Sequence, residues 1–168
     1  LFFADKVVLV EGESDQRVIR CLLEKKFGSK AHKISIVSAA GNRNFSPFLK
    51  MIRAWEAANI PHLVVTDFDS LTAESDRAIF RGAKDAGYHV QGENALFAQI
   101  DAALDRTEAD FCSAVAAAEK GFKDAGLNVF VFTSDLEYSL ISEANKYTVA
   151  KILTDASPNH NDFATGYS

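Results

Sequence analysis

The chain has 168 residues, of which 48% are hydrophobic and 24% charged, and its formal net charge is −5. These values predict one folded domain with a hydrophobic core and exclude a disordered or collagen-like chain. No apolar run approaches the roughly 18 residues that span a bilayer, so we expect no membrane segment. Cys21 and Cys112 fall in predicted helices, which favours free core thiols and the reducing cytoplasm.

The first part of the chain alternates short strands with amphipathic helices. Apolar runs rich in Val and Ile predict three buried strands, and apolar residues at helical spacing predict two helices between them. In chain order these elements are a strand at 6–11, a helix from residue 13 or 14 to 27, a strand at 33–37, a helix at 46–59 and a strand at 62–66. Alternation of this kind is typical of right-handed βαβ units and a parallel sheet.

The pattern changes after residue 69. Helical periodicity predicts three helices, at 72–86, 94–104 and 108–123. A fourth strand is predicted at 127–133 and a last helix at 147–153. We therefore predict an α/β fold with a mostly parallel four-stranded, Rossmann-like sheet flanked by helices and a helical insertion before the last strand. The expected division is a catalytic core at 1–88 and 127–155, a helical insertion at 89–126 and a loop-like tail at 156–168.

Carboxylates follow the buried strands. Glu11 and Asp15 follow the first strand across a strand-to-helix turn, and Asp67 and Asp69 follow the third. Sites in open α/β sheets are built at the carboxyl ends of the strands. Crowded anions favour a compensating cation, so we expect these acids to form a site there, with Asp67 and Asp69 on one side if the backbone stays extended.

A third acidic pair follows the fourth predicted strand. Asp135 and Glu137 repeat the two-residue spacing of Asp67 and Asp69. Mg²⁺ and Mn²⁺ prefer oxygen ligands, and two such ions can stabilise both oxygens of a phosphoryl displacement. The predicted metal ligands, for two ions, are therefore Glu11, Asp15, Asp67, Asp69, Asp135 and Glu137; the predicted catalytic residues are Glu11, Asp67 and Asp69.

Basic residues concentrate in one segment. Residues 17–53 contain nine Lys or Arg side chains and the single acid Glu24, a net charge of +8, so the remaining residues carry −13. This asymmetry indicates a polyanionic partner such as DNA, although a solvated basic helix face is an equally simple explanation. The predicted nucleic-acid-binding residues are Arg17, Lys25, Lys26, Lys30 and Arg43.

The motifs resemble the Toprim domain shared by topoisomerases, bacterial primases and several nucleases. The sequence Phe-Ala-Asp-Lys-Val-Val-Leu-Val-Glu-Gly-Glu-Ser-Asp at 3–15 is similar to that of the overcoming lysogenization defect (OLD) nucleases. The Gly-Asn-Arg-Asn-Phe turn at 41–45, Asp67-Phe68-Asp69 and Asp135-Leu136-Glu137 correspond to that family's later motifs.

This resemblance implies a metal-dependent DNA endonuclease or nickase. It implies that Glu11, Asp15, Asp67, Asp69 and Glu137 are metal ligands. It also implies a preceding ABC-type ATPase domain on the same polypeptide, and it allows a homodimer through that domain. We therefore expect the chain to be a piece of a longer protein. The family's catalytic lysine has no counterpart here, because Lys146 and Lys151 lie too near the last acidic motif.

Three alternatives stay open. Asp67-Phe68-Asp69-Ser70-Leu71-Thr72 nearly matches the nucleophile motif of haloacid-dehalogenase-type phosphatases, in which Asp67 would be phosphorylated. That motif normally follows the first strand of its fold, and it leaves Glu11 without a role. A second alternative is a non-catalytic, Mg²⁺-binding Rossmann-like regulatory module. The third is a primase or topoisomerase of the Toprim group.

Overall fold

A computed structural model describes residues 5–104 and 107–132 of the chain. Asp135, Glu137 and the helix predicted at 147–153 lie outside these described residues. The part of the chain that the structure describes contains four strands and five α-helices, with short 3-10 turns between some of them.

The four strands form one parallel sheet. They are β1 (Lys6–Val10), β2 (Ile34–Ser38), β3 (His62–Asp67) and β4 (Val129–Phe132), in the order β2-β1-β3-β4. The central strands β1 and β3 consist mostly of aliphatic residues, as expected of strands that are buried on both faces. The predicted parallel α/β sheet is confirmed.

One helix packs against the first face of the sheet. α1 (Glu13–Phe27) places Ile19 and Leu23 against a small cluster formed by Val10, Ile36 and Val65. Gly28, with φ of 55°, ends the helix in the left-handed region that glycine adopts readily. Leu22, another apolar residue of α1, is 44% exposed and lies outside this cluster.

Four helices cover the second face: α2 (Phe45–Ala57), α3 (Ala78–Asp85), α4 (Glu93–Ala103) and α5 (Glu108–Asp124). Their buried side chains join Leu9 and Val64 of the sheet in one hydrophobic cluster. α3 lies close to the start of α2, since a Cβ added to Gly82 would lie 3.0 Å from the Cβ of Phe45. The predicted division into core and insertion stays a prediction, although α4 and α5 clearly share the core of the sheet.

α3 begins six residues later than the helix predicted at 72–86. Residues 72–77 form turns, in which Asp76 and Arg77 adopt left-handed backbone conformations with φ of 57° and 47°. The hydroxyl groups of Thr72 and Ser75 both donate to the carbonyl oxygen of Asp69. Side chains of this type compete with helical hydrogen bonds, which explains the late start.

Two further expectations concern the cysteine residues and membrane-spanning helices. Cys21 and Cys112 are free thiols as predicted, but both are exposed rather than part of the core. Among the described residues, no helix is long and apolar enough to cross a membrane.

Side chains of the helices form hydrogen bonds with backbone groups at both edges of the sheet that the described residues form. Gln16 and Arg20 of α1 donate to the carbonyl oxygens of Ile36 and Ile34 in β2, at 2.7 and 3.1 Å. At the opposite edge, a Glu119 carboxylate oxygen accepts the N–H of Val131 in β4 at 2.9 Å. Unpaired edge groups invite strand addition from another chain, so these contacts protect the sheet.

We expect Arg20→Met to destabilise the fold by about 1–3 kcal/mol, because it removes the donor to Ile34 and to the carbonyl oxygen of Ala31. Urea denaturation followed by circular dichroism measures the loss. Lys25→Met, an exposed substitution in the same helix, is the matched control and should leave the midpoint nearly unchanged. Equal midpoints for the two variants would show that the edge contact contributes nothing.

Candidate functional site

The parallel sheet brings the first two acidic motifs to one edge. Val10, the last residue of β1, lies opposite Val65 in β3, so Glu11 and Thr66 are neighbours one residue further along. Oγ1 of Thr66 lies 3.3 Å from Oε2 of Glu11, and the backbone of Asp67 also hydrogen-bonds the Glu11 carboxylate. The carboxyl ends of β1 and β3 therefore meet at Glu11.

The environment of Glu11 disfavours its charge. Burial, followed by the charges of Asp69 and Asp15, raises the pKa of Glu11 from 4.5 to about 7, against the opposing effect of the hydrogen bonds from Thr66 and Asp67. Burial is the largest cause of this shift, and the negative charges of Asp69 and Asp15 add to it. Perturbed carboxyl groups of this kind are typical of functional sites.

The Asp67-Phe68-Asp69 motif is anchored by its central residue. Phe68 is 6% exposed, and its ring lies 3.9 Å from that of Phe111 in α5, measured between centroids. A 3-10 turn over Phe68–Leu71 replaces the extended backbone that the sequence suggested. Asp67 is half-buried and Asp69 is exposed, so the two carboxylates differ in their environment.

Hydroxyl groups and an amide surround this turn. Ser70 donates to the carbonyl oxygen of Asp67 at 2.9 Å, and Thr72 and Ser75 donate to that of Asp69. Nδ2 of Asn42, in the turn after β2, lies 3.4 Å from Oδ2 of Asp69. The turn after β2 therefore also lies at this edge of the sheet. The edge that carries Glu11, Asp67 and Asp69 is called the acidic edge below.

Asp15 has a structural contact of its own. Its Oδ2 accepts the N–H of Gly12 at 2.7 Å, which closes the first turn of α1, and its side chain is buried. The N-cap residue of α1 is Gly12, and Asp15 at the third helical position completes the cap. Since its charge also acts on Glu11, Asp15 lies near the other acids, and its role as a metal ligand stays a prediction.

The predicted nucleic-acid-binding residues divide into two groups. Arg17 lies in the second turn of α1 and Arg43 in the turn after β2, both at the acidic end of the sheet. Lys25, Lys26 and Lys30 lie at the far end of α1 and just beyond it. At 1.5 Å per residue, that end is about 20 Å from the start of the helix.

Sequence reasoning missed three polar neighbours of the acids: Thr66, Ser70 and Asn42. Thr66 is the one hydroxyl residue in an otherwise aliphatic strand segment, immediately before Asp67. Its position could have indicated a polar contact on the buried face of β3. Asn42 belongs to the Gly-Asn-Arg-Asn-Phe turn that carries part of the resemblance, but its contact with Asp69 depends on the meeting of two chain turns that are distant in sequence.

The donor set suits a hard divalent cation. Glu11, Asp67 and Asp69 offer carboxylate oxygens, the ligands that Mg²⁺ and Mn²⁺ prefer, and the charges of Asp69 and Asp15 act on Glu11. Within residues 5–104 and 107–132, however, no three Asp, Glu, His or Cys side chains are arranged closely enough to enclose an ion. The described acids therefore offer oxygen donors of the kind that a hard cation prefers, but they do not by themselves enclose an ion.

We expect the unliganded chain to lose stability as the pH rises from about 5 to about 8. Because the pKa of Glu11 is raised, the folded state keeps a proton on Glu11 that the unfolded state loses between pH values of about 4.5 and 7. The free energy of unfolding therefore falls as the pH rises through that interval. Thermal unfolding at both pH values, with a chelator present, measures the change. Glu11→Gln should reduce the pH dependence and Glu24→Gln, an exposed acid of α1, should not; identical profiles for all three would contradict the assignment.

Comparisons with known proteins agree with this architecture. Residues 2–69 match the family described as overcoming lysogenization defect protein-like, TOPRIM domain. No curated protein sequence gives a significant match.

Two solved structures of the C-terminal region of one OLD protein are similar to this chain in fold. A structure of the C-terminal region of the Xanthomonas campestris pv. campestris OLD protein matches 95% of this chain with 23% identity and a TM-score of 0.53. A second structure of that region matches 94% with 22% identity and the same TM-score of 0.53. The Burkholderia pseudomallei OLD protein C-terminal region matches 94% of the chain and 75% of its own length, with 20% identity and a TM-score of 0.44.

The chain spans 66% and 64% of the two Xanthomonas structures. The family match covers β1, α1, β2, α2 and β3 with both of the acidic motifs described above. This part of the chain is therefore similar to the TOPRIM domain of overcoming lysogenization defect proteins, in sequence and in fold.

Proposed function

We propose that this chain is the nuclease part of a divalent-metal-dependent DNA endonuclease or nickase. One observation carries the proposal: Glu11 and the Asp67–Asp69 turn meet at the carboxyl edge of the sheet, where the pKa of Glu11 is raised to about 7 by burial and neighbouring acids. A TOPRIM domain implies a metal-binding, nuclease-type module, and the donor set is that of a hard cation.

The acids at this edge would hold the metal. Glu11, Asp67 and Asp69 are the proposed ligands in the described residues, with Asp15 beside them. The proposed cofactor is two Mg²⁺ or Mn²⁺ ions; Asp135 and Glu137, the further ligands predicted from the sequence, lie outside the described residues. When bound, divalent ions stabilise the negative charge that develops on the phosphate oxygens during displacement.

Other residues of the chain would bind and orient the substrate. Arg43 lies in the same turn as Asn42, whose amide approaches Asp69, and so it is the proposed contact for a phosphate near the acids. Arg17, which is exposed and lies two residues after Asp15 in α1, is the next candidate along the helix. Phosphate contacts of this kind hold DNA in register and do not read its sequence.

The partners follow from the same proposal. The solved relatives are described as C-terminal regions of OLD proteins, which supports a preceding domain, here proposed as an ABC-type ATPase on the same polypeptide. A homodimer through that domain is part of the proposal. Cleavage of DNA in the cytoplasm is the proposed setting.

The phosphatase alternative explains less of the structure. It assigns chemistry to Asp67 but leaves Glu11 and its contact with Thr66 without a purpose. It predicts an acyl-phosphate on Asp67, beryllofluoride binding and hydrolysis of small phosphomonoesters. The nuclease proposal predicts none of these, and mass spectrometry of Asp67 after incubation with a phosphomonoester separates the two.

We expect Asp67→Asn and Asp69→Asn each to reduce plasmid nicking by at least about 100-fold, because each removes a proposed ligand charge. The assay measures conversion of supercoiled plasmid with Mg²⁺ or Mn²⁺, and with EDTA as a blank. Asp85→Asn, which changes an exposed acid of α3, is the matched control and should retain activity. Full activity in either ligand variant would refute the proposed site.

The two basic groups should respond differently to substitution. Arg43→Ala should reduce cleavage at saturating DNA, because Arg43 is placed near the acids. The triple variant of Lys25, Lys26 and Lys30 to Ala should mainly weaken binding, since these side chains lie about 20 Å away along α1. Each lost phosphate contact reduces the salt slope of binding by about 0.9, so the triple variant should lose up to about three.

Fluorescence anisotropy at several salt concentrations measures the slope, and plasmid nicking measures turnover. Lys84→Ala and Lys123→Ala change lysines outside the basic segment and serve as controls. An unchanged salt slope in the triple variant would mean that these lysines are a solvated surface and that DNA approaches the acids from elsewhere.

A further inference from the structure

We infer that Thr66 is a positioning residue, which holds the Glu11 carboxylate in place for the divalent cation, and that Ser70 holds Thr66 in turn. The inference rests on the proposed metal-dependent function. It begins from three polar groups that contact one another where β1 and β3 end. Oε2 of Glu11 lies 3.3 Å from Oγ1 of Thr66, which lies 2.7 Å from Oγ of Ser70.

Both hydroxyl groups are buried. Thr66 is 2% exposed and Ser70 is 0% exposed, so water does not compete for their hydrogen bonds. A buried polar group costs free energy unless it has a partner, and each of these has one in the chain of contacts. Their presence in a strand and turn that otherwise bury apolar residues therefore indicates a purpose at the acidic edge.

The position of Thr66 is fixed by its surroundings. It lies in β3, where the neighbouring Val65 pairs with Val10 of β1, and β-branched side chains have restricted χ1 rotamers. Glu11, in contrast, has a long side chain with several rotatable bonds, whose ordering opposes metal binding. A fixed hydroxyl donor beside its carboxylate removes part of that freedom before a cation arrives.

Ser70 supplies a second contact for the hydroxyl group of Thr66. Thr66 has one hydroxyl proton and two neighbours, Glu11 and Ser70, so it can donate to one of them at a time. Ser70 can donate either to the carbonyl oxygen of Asp67, at 2.9 Å, or to Thr66. In the structure Ser70 donates to Asp67 and accepts from Thr66, and this contact holds the Thr66 hydroxyl group beside Glu11.

The chain of contacts also links the two acidic motifs. Ser70 contacts the backbone of Asp67, and the backbone of Asp67 hydrogen-bonds Glu11. Glu11 and Asp67 are thus held relative to each other through Thr66, Ser70 and the main chain. Partners that orient metal ligands commonly change metal affinity by about 10- to 100-fold when they are removed.

The test measures Mn²⁺ affinity of the full chain directly, by titration with electron paramagnetic resonance detection of free Mn²⁺. Thr66→Val keeps the branched shape and removes the hydroxyl group, and it should weaken Mn²⁺ binding about 10- to 100-fold. Thr66→Ser restores the hydroxyl group and should recover affinity. Nicking by Thr66→Val should need more Mn²⁺ but reach a similar rate at saturation.

Tyr88→Phe is the matched control, because it removes a buried hydroxyl group that bonds a carboxylate, Glu56, elsewhere in the fold. It should leave Mn²⁺ affinity unchanged. If Thr66→Val does not fold by circular dichroism, Ser70→Ala carries the test, since it removes the 2.7 Å partner of Thr66 without changing β3. Weaker Mn²⁺ binding by Ser70→Ala supports the inference, and wild-type affinity overturns it.

Two other results would overturn the inference. Affinity of Thr66→Val within two-fold of wild type would show that the hydroxyl group does not position Glu11, and failure of Thr66→Ser to recover affinity would show that shape, not hydrogen bonding, matters. These outcomes leave the proposed nuclease function standing. Absence of Mn²⁺ binding by the wild-type chain would instead refute the proposed function, together with this inference.

Discussion

The parallel pairing of β1 with β3 is the constraint on which the acidic edge depends. With Val10 opposite Val65, the chain leaves both strands at the same level, and Glu11 is placed beside Thr66 and the backbone of Asp67. The pairing is stabilised by aliphatic side chains on both faces, whereas the acids beyond it repel one another. The free energy of core packing thus holds in place an arrangement that electrostatics alone would separate.

The helices between β3 and β4 support this edge from the other side of the sheet. Phe111 of α5 packs against Phe68, the residue between the two aspartates. Arg77 donates from Nη1 to the carbonyl oxygen of Leu71 in the acidic turn, and from Nη2 to both carboxylate oxygens of Asp101 in α4. A segment without any motif of its own therefore fixes the backbone that carries Asp67 and Asp69.

The molecule is polar along the strand direction. α1 begins beside Glu11, where the positive end of its dipole faces the acids, and ends at Lys25 and Lys26, which interact favourably with its negative end. Phosphate groups bound near Arg43 would lie close to the proposed metal ligands. The lysines would contact a duplex about 20 Å away, which is roughly six base pairs of B-DNA. One helix thus connects the two charged regions that the proposed function requires.

The sequence by itself determined the parallel α/β sheet, the order of its elements and the two acidic motifs within the described residues, because hydrophobic periodicity and turn residues are local signals. Only the tertiary structure showed that Phe68 is an anchor, that Asp15 caps α1, that Arg20 bonds an edge carbonyl, and that Thr66 and Ser70 adjoin Glu11. These contacts join residues whose proximity is set by strand pairing and helix packing. A hydroxyl group at position 66 has the same local signal whether it faces a carboxylate or a void, so its role appears only once β1 lies beside β3.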